Sequence, residues 1–350
     1  MKKVLFATTA LMATASVAAA EVRFSGYGRF GIGYFEDNSA KVTNFITTAS
    51  GGVGPGPGTG TATSTAATAE IDTNDTVLVS RFRLNIDGVA ETDSGVQFSA
   101  RVRLQADENN ATGEANSAGL NGARFSAIYE GLRVDAGNVS GAFDNLPNYY
   151  GNEPGLENFV GQYAAVDYGF LGYSSTGSGA NAVFFQYAVG DFAFGASYNQ
   201  EVRAFNGSKT DADQWDISVQ YSFENITAAL AYGETSAIGD VLDKQTLTVL
   251  TLGGEWGDFS GTLFVADDDV NDPDQNGTAY GLSAAYNVGA ATTLTFAYGD
   301  GSADNDTQAY GIGAIYDLGG GVTLRGGIGQ SKDGDGDSRM RADFGAQFNF

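Results

Sequence analysis

The sequence predicts an all-β fold, a sixteen-stranded antiparallel transmembrane barrel, and three observations predict it. The last twelve residues place Met340, Ala342, Phe344, Ala346, Phe348 and Phe350 on one parity, with Arg339, Arg341, Asp343, Gly345, Gln347 and Asn349 on the other. Alternate residues of a strand face opposite sides, so this segment has one apolar wall and one wet wall. The same alternation recurs through the chain, with short and long connections taking turns, as periplasmic turns and extracellular loops do in a barrel. The arginines inside these segments all fall on the parity opposite the apolar residues.

A leader opens the chain. Lys2 and Lys3 form a basic start, Val4 to Val17 is Ala-rich and largely apolar, and Ala18-Ala19-Ala20 is a small-residue cleavage motif. Residues 1–20 therefore read as a signal peptide and 21–350 as the mature barrel. After Ala20 no run of 18 apolar residues exists, so no spanning helix is available. The hydrophobic share of 42% would suit a soluble protein, but barrel strands hide their apolar face in alternation. Fifty glycines, five prolines and 12% aromatics fit many short strands. Cysteine and histidine are absent, which excludes a disulfide framework, His-based catalysis and imidazole metal sites. The net charge of −24, or −26 without Lys2 and Lys3, argues against nucleic acid as a partner.

Strands are expected at Val22–Tyr34, Val77–Asp87, Val96–Ala106, Gly122–Glu130, Leu132–Gly137, Asn181–Tyr187, Phe192–Asn199 and Gln214–Tyr221. Eight more follow at Ile226–Gly233, Gln245–Glu255, Phe259–Ala266, Thr278–Tyr286, Thr292–Gly299, Thr307–Tyr316, Val322–Gln330 and Arg339–Phe350. The stretch from Phe35 to Asp75, with its Gly/Pro run at 51–58 and a Thr/Ala tract, reads as one long flexible loop. Asn138–Gly179, rich in aromatics and acids, reads as a packed loop. An echo of Ala279–Gly289 in Ala309–Gly319 fits successive hairpins of one barrel better than a solenoid, because it does not persist. An even strand count puts both ends of the mature chain on the periplasmic side.

Tyr280, Leu282, Ala284 and Tyr286, then Leu294, Phe296 and Tyr298, then Tyr310, Ile312, Ala314 and Tyr316 form the outward sets, with tyrosines at both ends as in two interfacial girdles. Of twelve arginines, all but Arg203 lie in strands. Arg23, Arg29, Arg81, Arg83, Arg101, Arg103, Arg124, Arg133, Arg339 and Arg341 come from strands that become contiguous once the sheet closes, and so form a basic wall; Arg325 stands apart. Facing a dry sandwich core such arginines would need partners. Facing a water-filled lumen they need none.

These patterns resemble the general diffusion porins of Rhodobacter-type alphaproteobacteria. The resemblance rests on Glu21-Val22-Arg23-Phe24-Ser25-Gly26, Ser80-Arg81-Phe82-Arg83-Leu84, Ala279-Tyr280-Gly281-Leu282-Ser283, Tyr316-Asp317-Leu318-Gly319-Gly320-Gly321, Gly326-Gly327-Ile328 and the closing Ala342–Phe350. It covers the mature chain and is densest in the last 80 residues. It implies an outer-membrane homotrimer of sixteen-stranded barrels in contact with lipid and lipopolysaccharide. It also implies that the third extracellular loop folds inward and narrows a pore for small hydrophilic solutes. On that loop Asp144, Glu153 and Glu157 are the acids expected to face the arginines across the constriction. Phe350 resembles the terminal aromatic that barrel-assembly machinery reads. The long 35–75 segment departs from the family's usual short first loop.

The alternatives are a channel selective for one anionic solute at Arg81, Arg83, Arg101 and Arg103, a barrel enzyme, and a purely structural or adhesive barrel. No acid pair stands out for an enzyme, and no cofactor is expected. Asp267-Asp268-Asp269 with Asp272 and Asp274, and Asp333-Gly334-Asp335-Gly336-Asp337, invite loop-bound Ca²⁺, but the second lacks the closing Glu of a calcium loop, and solvated charge is the better reading.

Overall fold

The structure is a computed structural model, and it describes residues 20–49, 62–109, 112–170, 172–205, 208–237 and 243–350. The expected leader (save Ala20), the Gly/Pro run at 51–58 and the side chain of Arg203 lie outside the described residues. The strands are β1 (Glu21–Phe35), β2 (Ser39–Ala49), β3 (Ala62–Asp72), β4 (Thr76–Glu91), β5 (Gln97–Glu108), β6 (Ala115–Leu120), β7 (Arg124–Tyr129), β8 (Leu132–Gly137), β9 (Ala182–Val189) and β10 (Phe192–Phe205). They continue as β11 (Ser208–Phe223), β12 (Ile226–Thr235), β13 (Gln245–Trp256), β14 (Phe259–Asp269), β15 (Gly277–Val288), β16 (Thr292–Asp300), β17 (Thr307–Gly319), β18 (Val322–Asp333) and β19 (Arg339–Asn349).

Every barrel neighbour pairs antiparallel, and β1 pairs with both β4 and β19, so the sheet closes on itself. β6 and β7 both pair with β5 and act as one interrupted stave, which gives sixteen. The interruption has a cause. Asn121 still donates to Arg103 O on β5, but Leu120 and Gly122 bond Gly177, where the long loop returns to the wall. At the seam Tyr27 faces Asn349 and Phe35 faces Arg341, and Gly26 and Phe350 exchange backbone bonds of 2.8 and 3.0 Å.

All sixteen expected strands are present. The 35–75 segment is a correction: β2 and β3 pair from Ser39↔Asp72 to Ala49↔Ala62 as a ribbon of their own, not a structureless loop. β10 and β11 also run past their expected ends and stay paired to Phe205↔Ser208.

Large apolar side chains on the outward parity are exposed all round the barrel, among them Phe24, Phe30, Leu282, Ile312, Phe344 and Phe350. This is the reverse of a soluble protein and is the surface a bilayer covers. The compact core lies inside, between residues 138–181 and the inner wall. Phe143, Leu146, Tyr149 and Tyr168 of the loop pack on Ala231, Leu247, Val249, Phe264 and Ala279. Leu156 packs on Val77 and Val79, and Val160 on Ala297 and Ala309.

Candidate functional site: a loop across the lumen and an arginine wall

The 138–181 loop crosses the barrel interior because the wall beneath it is cut back to glycine. A Cβ on Gly281 would sit 2.0 Å from the carbonyl oxygen of Gln162, and one on Gly327 would sit 2.8 Å from the Gly155 nitrogen. At these inward positions only glycine leaves room for a second backbone. Polar wall side chains then take up the loop's backbone groups, as burial requires. Asp343 accepts from the Leu156 and Glu157 amides at 2.8 and 2.9 Å. Ser283 accepts from Asn152 N at 2.7 Å, Asp268 from Asp167 N at 2.7 Å, and Thr251 donates to Pro147 O at 2.7 Å. Asn138 Oδ1 accepts from Ser174 N and Ala180 N and so fastens the loop's two ends together.

The three acids expected on the loop occupy different settings. Glu157 is buried and bridges two arginines, Arg29 at 2.8 Å and Arg341 at 3.1 Å. Arg29 also donates to Leu156 O at 3.2 Å, and Arg341 lies over the rings of Phe35 and Phe159. Glu153 accepts from the Tyr163 hydroxyl at 2.7 Å, and burial pushes its carboxyl up to about 7. Asp144 is exposed and accepts from the Tyr150 hydroxyl. Burial, then the Asp144 charge, raises the Tyr150 phenol. Only Glu157 of the three bonds to arginines of the expected wall.

The arginines are more fully paired than a wet lumen demands. Arg81 bonds Asp107 at 2.7 Å, Arg101 bonds Asp87 at 2.6 Å, and Arg133 bonds Asp135. These three have carboxylates of the wall as partners, on the same inward parity, whereas Arg29 and Arg341 share Glu157 of the loop. Arg83 and Arg103 bond neutral groups instead: Arg83 meets Gln105 at 2.7 Å, and Arg103 meets Asn85 at 3.0 Å, Tyr173 OH at 2.7 Å and Ser175 at 2.9 Å. The Arg124 side chain makes no hydrogen bond or ion pair among the described residues. Arg23 pairs with Glu21 at the exposed rim near the chain start, and Arg339 is exposed at the opposite end of its strand. Phe350 is half exposed and stacks on Phe82 with ring centroids 5.8 Å apart.

Sequence reasoning missed Asp87, Asp107, Asp135 and Asp343. All four stand on the arginine parity and were open to detection there. The closed barrel with a loop drawn across its lumen matches known proteins over nearly its whole length. A profile of the family described as Gram-negative porin matches residues 7–336. The chain belongs to that family. It is 31% identical to the porin of Fuscovulum blasticum over 94% of this chain and all of that one. It is 27% identical to the porin of Rhodobacter capsulatus over 77% of this chain and 93% of the other. Among solved structures, a mutant of Rh. blastica porin superposes with a TM-score of 0.70 at 27% identity, covering 94% of this chain and 100% of that chain. This porin is accordingly an outer-membrane β-barrel that forms a channel for passive diffusion of small hydrophilic solutes.

Proposed function

We propose that solutes pass between the arginine-bearing staves β4–β8 and the inward loop, and that the charges on these two sides set the selectivity of the pore. The observation that carries this reading is the one-sided placement of the loop. Its hydrophobic packing lies on β12–β17, on Phe184 of β9 and on the Val77–Val79 end of β4, whereas toward Arg81, Arg83, Arg101, Arg103, Arg124 and Arg133 it makes polar contacts, with Ser175 at Arg83, Tyr173 and Ser175 at Arg103, and Asn145 at Arg133. Asp144 and Glu153 then lie on the loop, and Glu157 anchors it. Selectivity of this kind comes from width and fixed charge, without chemistry. Arg23 and Arg339 sit toward the two mouths and act on entry rather than at the narrowest point.

Assembly as a homotrimer fits the family and the continuous apolar outer surface. Phe350 fits a terminal signal read by barrel-assembly machinery, because its ring stays half exposed while its backbone closes the seam. The test is bilayer conductance of the purified protein with reversal potentials under a salt gradient. Steps of open conductance whose selectivity changes when Arg81 and Arg83 are neutralised support the reading. Unchanged selectivity removes the arginine wall from it.

A further inference from the structure

One recess of the arginine wall holds more positive charge than the protein itself balances. Arg101 of β5, Arg124 of β7, Arg133 of β8 and neighbouring Arg103 line a cavity of about 50 Å³, closed by Asp135, Tyr173 and the two ends of the inward loop. Arg101 and Arg124 stand directly opposite each other on adjacent staves, an arrangement that destabilises a sheet. Arg101 has Asp87 and Arg133 has Asp135, whereas Arg103 among the described residues has neutral partners, Asn85, Tyr173 and Ser175. On its other side Arg124 faces Gly137, which has no side chain, and its buried Nε has no acceptor. The nearby amides are already occupied. Asn121 Oδ1 accepts from Arg103 N, and Asn138 Oδ1 serves the loop. Four guanidiniums against two carboxylates leave two positive charges unbalanced. Arg101 and Arg133 each keep 31% of their side chain exposed, so the recess opens to solvent.

We propose that this recess binds a small oxyanion of phosphate or sulfate size, with Arg124 as its principal donor and Arg101 and Arg103 completing the cradle. The cavity exceeds the space one water needs. The planar guanidinium fork matches two oxygens of a tetrahedral anion, and a halide uses that geometry poorly. The site then gives phosphate- or sulfate-bearing solutes a resting point on the pore wall, independent of how well the pore conducts simple salts.

The test is calorimetric titration of the detergent-solubilised full chain with inorganic phosphate in a fixed chloride background near neutral pH. The expected result is one saturable site per chain. Arg124→Gln should weaken it on the order of tenfold to a hundredfold, as loss of a charge-assisted pair implies. Arg124→Lys, which keeps the charge and spares the fold, should weaken it on the order of tenfold. Lys244→Gln, an equal charge change on an outer loop, should leave it intact. In bilayers phosphate should reduce chloride conductance to a plateau in the wild type and not in Arg124→Gln. No saturable heat in the wild type, or equal binding by Arg124→Gln, would overturn the proposal. Because calorimetry needs no open channel, a non-conducting preparation would count against the pore reading without touching this one.

Discussion

Replacing Glu157 by Gln removes one charge from between Arg29 and Arg341 with almost no change of shape. The Glu157 and Arg29 side chains are only 3% and 6% exposed, so this is a buried ion pair on one side. Breaking such a pair typically costs about 3–5 kcal/mol. Three facts place the effect at the lower end. The carboxamide keeps one acceptor oxygen, Arg29 keeps Leu156 O, and Arg341 is 29% exposed and stacked on two rings. About 3 kcal/mol remains, roughly a hundredfold in the local opening equilibrium of the loop. The barrel itself keeps its whole ladder, so global melting should hardly move. Hydrogen exchange reads the effect directly: the amides of Leu156 and Glu157, held by Asp343, should exchange roughly a hundredfold faster. The reversal potential should shift toward anions. Adding Asp343→Asn should cost more than the sum of the two single changes, since both hold the same turn. Unchanged exchange at these amides would refute the reasoning, because the bridge would then not be holding the loop.

Three further outcomes follow from the same geometry. Neutralising Arg81 and Arg83 together should move selectivity toward cations, read as a reversal potential under a salt gradient. The Glu153 carboxyl, raised by burial to about 7 from an ordinary 4.5, binds its proton in the folded loop before the unfolded one. The loop's attachment is therefore stronger below about pH 4.5 and weakens as pH rises to about 7, while cation preference, which follows the charge of the folded loop, rises as pH passes about 7. Glu153→Gln should flatten the pH profile of the reversal potential. Gly281→Ala sets a methyl against the Gln162 carbonyl, where 2.0 Å is available, and should push the loop off the wall and raise single-channel conductance.

The staves were legible because a membrane outside and water inside impose the strongest period-two contrast a strand can carry. Tyr280, Leu282 and Tyr286 are exposed, while Ser283 between them is buried. The β2–β3 ribbon was not legible, since its Thr- and Ala-rich sequence alternates without an apolar face. The loop's attachments were illegible for another reason. Asp343 and Leu156 lie 187 residues apart, and nothing local in either segment announces the other. A signal did exist in the inward parity of the later strands. Gly281, Gly299, Gly311, Gly327 and Gly345 stand where a lumen wall would ordinarily place polar side chains, and a row of missing side chains is the footprint of something packed against them. The wall carboxylates were equally open to view. Asp87, Asp107 and Asp135 share the arginine parity, and reading cations alone overstated the basic field.

That footprint also fixes what kind of pore this is. A narrowing made by a tethered, solvated loop would widen and close with thermal motion. Here the narrowing is the surface of a hydrophobic core: Leu156 and Leu247 are 0% exposed, Phe264 1% and Phe143 2%, and they bind loop to wall as core residues bind two sheets. Moving the loop means opening that core and exposing several large side chains, each worth roughly 1.5–3 kcal/mol of burial. The width of the channel is therefore a packing property, as constant as the fold. In the proposed pore, Arg83, Arg103 and Arg124, which have no carboxylate partner among the described residues, then add to the field set by the paired charges of wall and loop.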